Sequence, residues 1–142
     1  MGRFFTKGAS MSKLNDFLTE CKTFFLATVD GDAPKVRPLG AHMEMDGKVI
    51  FGIGDFKNVY KQLVANPKAE IACCNATGLW LRYTGTAVFE TDPKYAEAML
   101  DGAPHLRNIY NDETGHKMMC FHLEDTEAKL IQIMTEQEEL DC

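Results

Sequence analysis

The stretch DGKVIFGIGDFKNVYKQLVANP, residues 46–67, decides the predicted fold. Asp46-Gly47 between two strand-like runs is the strongest hairpin signal in the chain, because this dipeptide suits a tight two-residue turn. The run KVIFGIG predicts a strand, and DFKNVYKQLVA predicts a helix with Asp55 as its N-cap and Asn66-Pro67 as its end. The stretch therefore predicts a hairpin strand that is followed directly by a helix.

Two glycines distinguish one face of this strand. Side chains alternate along a strand, so Gly52 and Gly54 share one face while Val49, Phe51 and Ile53 share the other. A face with two glycines offers little to pack against, and we expect a flat ring or a neighbouring chain to approach the backbone there. The alternative is that the glycines only allow a tight exit from the strand.

The start of the following helix predicts a place for a phosphate group. A helix N-terminus presents unpaired N–H groups and a partial positive charge. Lys57 and Lys61 lie one turn apart on one side of the helix and add to that charge. The plainer alternative is an ordinary turn before a solvated helix face. The stretch is not a dinucleotide fingerprint, because Lys57 stands where GxGxxG requires its last glycine.

Elsewhere, strand patterns outnumber helices. We predict helices over residues 10–22, 93–102 and 104–112, and strands over residues 23–30, 33–45, 69–77, 79–92, 116–125 and 127–135. Hairpins outnumber crossovers, which predicts an α+β fold, mainly antiparallel β: a small barrel with peripheral helices. Gly40 and Gly85, inside long strand runs, are expected bending points. We expect one domain over residues 1–142, with residues 1–10 flexible and residues 136–142 a solvated tail.

Two further strand runs carry candidate ligand contacts. In VRPLGAHM, Arg37 shares a face with apolar residues, and a guanidinium group in such a place requires a carboxylate, a phosphate or water. Pro38 interrupts the ladder there and leaves backbone groups free for a ligand. In LWLRYTGTAVF, Trp80 shares a face with Arg82, which indicates an interface or a ligand wall. Core packing is the more common role of a single tryptophan.

Composition argues against several function classes. The net charge of −6 and the lack of a basic stripe argue against nucleic acid, and no apolar run approaches the roughly 20 residues of a membrane span. The five cysteines are odd in number and lack CxxC spacing, so we expect buried thiols in a reducing cytoplasm rather than a disulfide framework. The four histidines show no metal spacing. We therefore expect no metal site, nucleic-acid partner or membrane partner.

Four stretches, read in order, carry a family resemblance: FFLATVDGDAPKVRPLG, DGKVIF, KNVYKQLVANPKAEI and LWLRYTGTAVFETD. Together they resemble the pyridoxamine 5′-phosphate oxidase-like FMN-binding split-barrel family. They are most similar to its short bacterial members, beside the general-stress and nitroimidazole-resistance-like proteins. The resemblance runs over residues 14–134 and implies a split β-barrel that forms a homodimer, with FMN at the subunit interface.

The resemblance also implies which residues meet the cofactor. One segment is expected along the flavin ring, one at the ribityl chain and phosphate, and one at the border of the site. The flavin-ring segment is Arg37, Pro38, Leu39 and Gly40. The ribityl and phosphate segment is Gly52, Ile53, Gly54 and Lys57. The border of the site is formed by Trp80 and Arg82. No catalytic residue is assigned, because the pattern singles out no acid or histidine.

The chain departs from the family pattern in two places. Phe56, Lys57 and Asn58 stand where relatives place a hydroxyl residue and two basic residues, which weakens the expected hold on phosphate. Nothing after Ile133 matches the substrate-binding C-terminal segment of full pyridoxamine phosphate oxidases, so the vitamin B6 reaction is not expected. We expect an FMN-dependent oxidoreductase that acts on an unknown small molecule. The alternatives are a haem- or deazaflavin-binding module without turnover and a dimeric scaffold that has lost its ligand.

Overall fold

The computed structural model describes residues 7–132 and 137–141. Within them the elements are, in chain order, α1 (Lys7–Cys21), β1 (Phe24–Asp30), β2 (Ala33–Leu39), β3 (His42–Met45), β4 (Lys48–Gly54), α2 (Asn58–Ala65), β5 (Lys68–Cys74), β6 (Leu79–Phe89), α3 (Pro93–Gly102), a 3-10 helix (Pro104–Asn108), β7 (Met118–Gln132) and β8 (Gln137–Leu140). Helix α3 has its predicted bounds, with the Asp92 side chain accepting from the Lys94 N–H at 3.0 Å. The helix predicted over residues 104–112 is the shorter 3-10 helix.

The strands form a single sheet that does not close. The order is β2-β1-β5-β6-β7-β4-β3, and all neighbours are antiparallel. Strands β2 and β3 are consecutive in the chain but lie at the two ends of this order, so the barrel is split between them. The predicted α+β, mainly antiparallel split barrel with peripheral helices is confirmed.

The turn between β3 and β4 follows the sequence signal. Asp46 and Gly47 have positive φ angles of 55° and 72°, as a type I′ turn requires. The turn sets Met45 opposite Lys48. This register directs alternate residues of β4 into the core: Val49, Phe51 and Ile53.

The main core lies inside the barrel. Leu14 and Leu18 of α1 are fully buried one helical turn apart and belong to the same cluster as the strand residues. The Phe51 ring lies 5.5 Å from the ring centroids of both Phe24 and Phe121. Each fully buried side chain of this size contributes about 1.5–3 kcal/mol to folding.

A second, smaller core lies outside the barrel. Helix α3 packs there on β4 and β7. We call this cluster the outer core; its buried members are Ile50, Tyr95, Met99, Leu100, Met118 and Cys120. Strand alternation places Ile50 on the opposite face of β4 from Phe51, so β4 is covered on both faces.

Strand β7 differs from its prediction. We expected two strands joined by a turn near Asp125, but β7 is continuous, and Asp125 adopts a φ of 52° within it. The pairing with β6 shifts register between Thr84 and Thr86. A Cβ on Gly85 would lie 2.9 Å from the Glu124 carbonyl oxygen, so the glycine permits the close approach of the two backbones. The predicted bending point at Gly85 therefore lies opposite a β-bulge in β7.

Both predicted ends need correction. Helix α1 begins at Lys7 and Ser10 is fully buried, so residues 7–10 belong to the folded part, whereas residues 1–6 lie outside the described residues.

The tail predicted over residues 136–142 contains β8, which pairs with β7 and buries Leu140. Residues 136 and 142 lie outside the described residues. A polar composition concealed β8, in which Leu140 turns inward.

The predicted strand over residues 33–45 is two strands. The chain leaves the sheet at Gly40 and Ala41, between β2 and β3. The Ala41 carbonyl then accepts from the Gly52 N–H at 3.2 Å, which brings the split edge of the barrel close to the end of β4. Gly40, an expected bending point, lies at this break.

Candidate ligand-binding site

The glycine face of β4 is filled by side chains of the same chain. A Cβ on Gly52 would lie 3.0 Å from the Met118 Sδ. A Cβ on Gly54 would lie 2.8 Å from Phe56 Cε1 and 2.9 Å from the Tyr110 hydroxyl oxygen. The sequence predicts that a flat ring or a neighbouring chain approaches this face, whereas the groups that lie on it are side chains of the same chain. The glycines are required because these side chains sit directly on the backbone.

Over Gly54 the covering is aromatic: Phe56 and Tyr110 lie on the glycine, and His116 stacks on Phe56. We call these three residues the aromatic cover. Phe56 stacks on His116 with a centroid separation of 4.0 Å and an interplanar angle of 29°, and it lies 6.4 Å from the Tyr110 ring. Burial raises the pKa of Tyr110, and the Asp55 carboxylate adds to the shift. Sequence reasoning missed Tyr110 and His116, because they lie far along the chain from Gly54 and no local pattern links them to it.

Asp55 does not cap α2, contrary to the prediction. Its N–H donates to the Lys117 carbonyl and its carboxylate accepts from the Lys117 N–H, both at 3.0 Å. Asp55 therefore fastens the end of β4 to the start of β7. The N-cap position belongs to Lys57, whose side chain makes no capping hydrogen bond. The first turn of α2 consequently keeps N–H groups that no side chain satisfies.

The start of α2 carries positive charge that no ion pair neutralises among the described residues. Lys57 and Lys61 are exposed, and neither forms an ion pair within residues 7–132 and 137–141. The Lys57 Nζ lies 5.8 Å from the Phe56 ring centroid. The first turn of the helix holds no acidic residue. This set of donors suits an anion.

Arg37 reaches α2 from the opposite side through neutral partners. Its Nη2 donates to Gln62 Oε1 at 2.5 Å, and its Nη1 donates to Thr28 Oγ1 at 2.7 Å and to the Leu26 carbonyl at 3.3 Å. Thr28 also donates to Gln62 Oε1 at 2.6 Å. Burial lowers the pKa of Arg37, and no carboxylate contacts the guanidinium group within the described ranges. The predicted requirement for a carboxylate, phosphate or water is met here by amide, hydroxyl and carbonyl oxygens.

A polar cleft lies between α2 and the β1–β2 turn. Its volume is about 520 Å³, and its lining includes Asn58, Lys61 and Gln62 together with Asp30. Gln62 also binds Arg37, so the cleft borders the guanidinium group. Two positive groups and one carboxylate therefore meet at this side of α2.

The end of β2 presents free backbone. Strand β2 lies at an end of the sheet order, and among the described residues it pairs with β1 alone. The outward backbone groups of the residues around Pro38, which itself has no N–H, therefore have no partner strand there. At Gly40, nothing lies within 4 Å of an added Cβ. Leu39 packs against the main core, and the Ile53 side chain is buried within it. Gly40, not Gly52 or Gly54, is thus the predicted site glycine with open space.

Trp80 and Arg82 lie on the other face of the sheet from Arg37. The Arg82 guanidinium carbon is 5.0 Å from the Trp80 ring centroid, and its Nε lies 3.0 Å from Glu70 Oε1. The register pairs Arg82 with Ala72, and Ala72 with the half-exposed Phe25, so these residues share the outer face. Arg37 pairs instead with the buried Leu26. One chain alone does not bring Trp80 and Arg82 to α2.

An open apolar depression of about 400 Å³ lies on this outer face. Its lining includes Phe25, Ala72 and Trp80. Phe25 is 48% exposed and Val36, on β2, is 67% exposed. Large apolar side chains grouped on a bare sheet face are typical of an interface. We call this surface, from Val36 across Phe25 to Trp80, the bare face.

Two other kinds of site find no support in the described residues. No helix there is long and apolar enough to cross a membrane. No group of three or more histidine, cysteine or acidic side chains in residues 7–132 and 137–141 is placed to hold a metal ion.

Comparison with known proteins identifies a family to which the chain is similar. A model of the pyridoxamine 5′-phosphate oxidase family matches residues 11–128. None of the curated proteins compared with the chain matches it.

Solved structures share the fold over nearly the whole chain. A NimC/NimA family protein from Clostridium acetobutylicum is 33% identical, with a TM-score of 0.86 over 94% of this chain and 93% of that one. A general stress protein 26-related protein of the pyridoxinephosphate oxidase family, also from C. acetobutylicum, is 16% identical, with a TM-score of 0.68 over 94% and 96%. A haem-binding protein from Mycobacterium smegmatis is 14% identical, with a TM-score of 0.70 over 96% of this chain and 58% of that one.

Proposed function

The chain belongs to the pyridoxamine 5′-phosphate oxidase family, and on this premise we propose that it is an FMN-binding flavoprotein, an FMN-dependent oxidoreductase that acts on a small molecule. The observation that carries the proposal is the positive charge around α2, which forms no ion pair among the described residues although Asp30 lines the adjoining cleft. Lys57 begins the helix without a capping partner, and Arg37 reaches Gln62 with only neutral partners. An anionic group beside this helix would receive charge-assisted hydrogen bonds.

The donors fit the phosphate end of FMN. Gln62 follows Lys57 by five positions, which is about 8 Å along a helix axis, so Arg37 and Lys57 flank the first turns of α2. Asn58 and Lys61 line the cleft on the same helix. We assign Arg37 and Lys57 to the phosphate. The lysine compensates in part for the hydroxyl and basic residues that the family pattern places here.

The flavin ring of FMN fits a different surface from the glycine face of β4, where the sequence predicted a flat ring. Met118 and Met99 fill the face of Gly52, and the aromatic cover fills that of Gly54. We therefore assign the ring to the free edge of β2, along Pro38, Leu39 and Gly40. Unpaired backbone groups of an edge strand can donate to and accept from the polar edge of a flavin. Gly52, Ile53 and Gly54 then act by placing the start of α2.

We propose that two copies complete the site. Trp80 and Arg82 lie on the bare face and reach a cofactor at α2 only if a second copy supplies them. The bare face carries exposed Phe25 and Val36, as a two-fold interface requires. A cytoplasmic location remains part of this proposal, in keeping with the free thiols of Cys21, Cys73, Cys74 and Cys120.

The cofactor would supply the electron-transfer chemistry. The chain would bind its phosphate through Arg37 and Lys57 and orient its ring along β2. No proton donor is assigned, because the family pattern singles out no acid or histidine.

The test is the purified protein together with FMN and riboflavin. We expect a yellow preparation, and we expect FMN to raise the melting temperature of the stripped protein more than riboflavin does, because only FMN carries the phosphate that Arg37 and Lys57 would bind. A colourless preparation that gains no thermal stability from FMN contradicts the proposal. Equal stabilisation by both ligands contradicts the phosphate assignment alone.

A non-catalytic haem- or deazaflavin-binding module is the second candidate. The haem-binding protein from M. smegmatis has this fold, with a TM-score of 0.70. His116, stacked on Phe56, is an imidazole at the margin of the site. Titration of the stripped protein with haem, a deazaflavin and FMN separates the candidates by which one raises the melting temperature. A protein that responds to none of the three is the ligand-free scaffold.

A further inference from the structure

A cavity of about 650 Å³ lies between α3, the segment 110–117 and the start of β7. None of the ten residues assigned to the cofactor lines it. Sites for small organic molecules commonly have volumes of about 300–1,000 Å³ and combine apolar walls with a few polar groups. This cavity therefore has the size and the makeup of a second ligand site.

The walls of the cavity are apolar and polarizable. Helix α3 contributes Ala96 and Leu100, and β7 contributes Met118 and Cys120. Burial raises the pKa of the Cys120 thiol to about 11, so this wall is uncharged at neutral pH. Tyr110 also lines the cavity and packs against the outer core. Methionine sulfur and a tyrosine ring make favourable contacts with a flat aromatic molecule.

The charges that line the cavity are mainly negative. Glu90, Asp92 and Asp112 contribute carboxylates, and Lys117 contributes one ammonium group. Lys48 lies 2.9 Å from Glu90 and offsets part of its charge, but Asp112 has no ion pair among the described residues. The lining therefore favours a neutral or positively charged occupant over an anion.

The aromatic cover separates this cavity from the proposed cofactor segments. Tyr110 and His116 line the cavity, while Phe56 stacks on His116 and does not line it. Gly54 lies beneath Phe56 and the Tyr110 hydroxyl. The cavity thus lies behind the rings and does not include the edge of β2.

We infer that the cavity beneath α3 binds a flat aromatic molecule of about two fused rings that is neutral or positively charged. The site is formed within one chain and does not depend on FMN. It remains available in protein that has lost its cofactor.

The experiment is a calorimetric titration of the full chain, stripped of any flavin, with three probes of similar shape. The probes are N-methylquinolinium, quinoline and 1-naphthoate, which are positive, neutral and negative at pH 7.5. We expect N-methylquinolinium to bind at least tenfold more tightly than 1-naphthoate, with quinoline between them. The difference should shrink at high salt, because screening weakens the attraction to the carboxylates.

Two pairs of variants locate the binding. Ala96→Phe fills the cavity and should weaken quinoline binding at least tenfold, whereas Ala98→Phe, on the same helix but outside the lining, should not. Asp112→Asn should weaken N-methylquinolinium binding several-fold and leave quinoline unchanged. Glu113→Gln removes the neighbouring charge, which does not line the cavity, and is the control.

A measurement on the unaltered chain guards against a variant that fails to fold. With methyl-labelled methionine, quinoline should shift the signals of Met118 and Met119, which line the cavity, and not those of Met43 and Met45, which pack on the outer core without lining it. The inference is overturned if no probe binds the stripped chain saturably. It is also overturned if a probe binds but shifts none of the lining methionines. Failure of FMN to bind leaves this result untouched.

Discussion

The two halves of the outer sheet surface contrast sharply. On one half, α3 and the aromatic cover bury β4 and the start of β7, down to the α-carbons of Gly52 and Gly54. On the other half, the bare face leaves Phe25 and Val36 to solvent. The half whose sequence predicted an open backbone is the closed one. The difference teaches that glycines on a strand indicate that another group lies close to the backbone. They do not indicate whether that group is a ligand or a side chain of the same chain.

Phe25 and Phe56 put this contrast to its strongest test, because both are about equally exposed, at 48% and 42%. Phe25 lies on the bare face, whereas Phe56 stacks on His116. If the bare face is the interface of a dimer, Phe25→Asp places an unpaired charge in it and should weaken assembly at least a hundredfold, about 2.7 kcal/mol. Light scattering at several concentrations measures this change.

Phe56→Asp is the matched control for that experiment. It should cost stability through the lost stacking and leave the assembly unchanged. If the wild-type chain is a monomer at micromolar concentration, the shared site is wrong. If Phe56→Asp dissociates the dimer while Phe25→Asp does not, the interface lies on the covered half instead.

The second prediction compares glycines in the two settings. Gly54→Ala places a Cβ within 2.9 Å of the Tyr110 hydroxyl and within 2.8 Å of Phe56, so two rings must shift. We expect a loss of about 1–3 kcal/mol in the free energy of unfolding, the usual cost of overpacking. Denaturant titration measures it.

Gly40→Ala is the control, because an added Cβ there meets nothing within 4 Å and its φ is not positive. We expect its free energy of unfolding to stay within about 0.5 kcal/mol of the wild type. Equal stability of the two variants would mean that the aromatic cover does not rest on Gly54 in solution.

Local signals predicted the fold well and the site only in part. Asp46-Gly47 defined a hairpin with the expected turn, and the bounds of β4 and α3 follow from alternation and capping alone. These features depend on neighbours in the chain. The continuous β7 escaped prediction because Asp125, which reads as a turn, is accommodated in a bulge opposite Gly85.

The missed parts of the site depend on contacts between distant segments. The partners of Arg37 come from β1 and α2, and only the register and the docking of the helix bring Thr28 and Gln62 to it. The rings of Tyr110 and His116 reach Phe56 through a loop without periodicity. A sequence states which side chains exist, but not which of them fill a glycine face.

The third prediction concerns Arg37, whose partners are all neutral. Arg37→Met keeps much of the apolar stem and removes the positive charge, so FMN should bind at least tenfold more weakly, about 1.4 kcal/mol, while riboflavin is unaffected. Arg37→Lys should restore only part of the affinity, because an ammonium group cannot contact Gln62 and Thr28 together as the guanidinium does. Fluorescence titration of the stripped protein measures both ligands. An equal loss for riboflavin would mean that Arg37 supports the fold near α2 and not the phosphate.

The smallest effect concerns His42, where α1 meets the split edge of the barrel. Its ring lies 5.7 Å from Phe24, its Nδ1 lies 2.7 Å from Asn15 Oδ1, and burial lowers its pKa. A histidine with a lowered pKa in the folded state takes up its proton more readily when unfolded, so its contribution to stability is present above about pH 6.5 and is lost as the pH falls below that value. Denaturant titrations between pH 7.5 and 5.5 should show a smaller loss for His42→Gln than for the wild type. The control is His105→Gln, in the exposed 3-10 helix, which should lose as much stability as the wild type between these pH values. If His42→Gln also loses as much as the wild type, the pH dependence of stability does not arise at this junction.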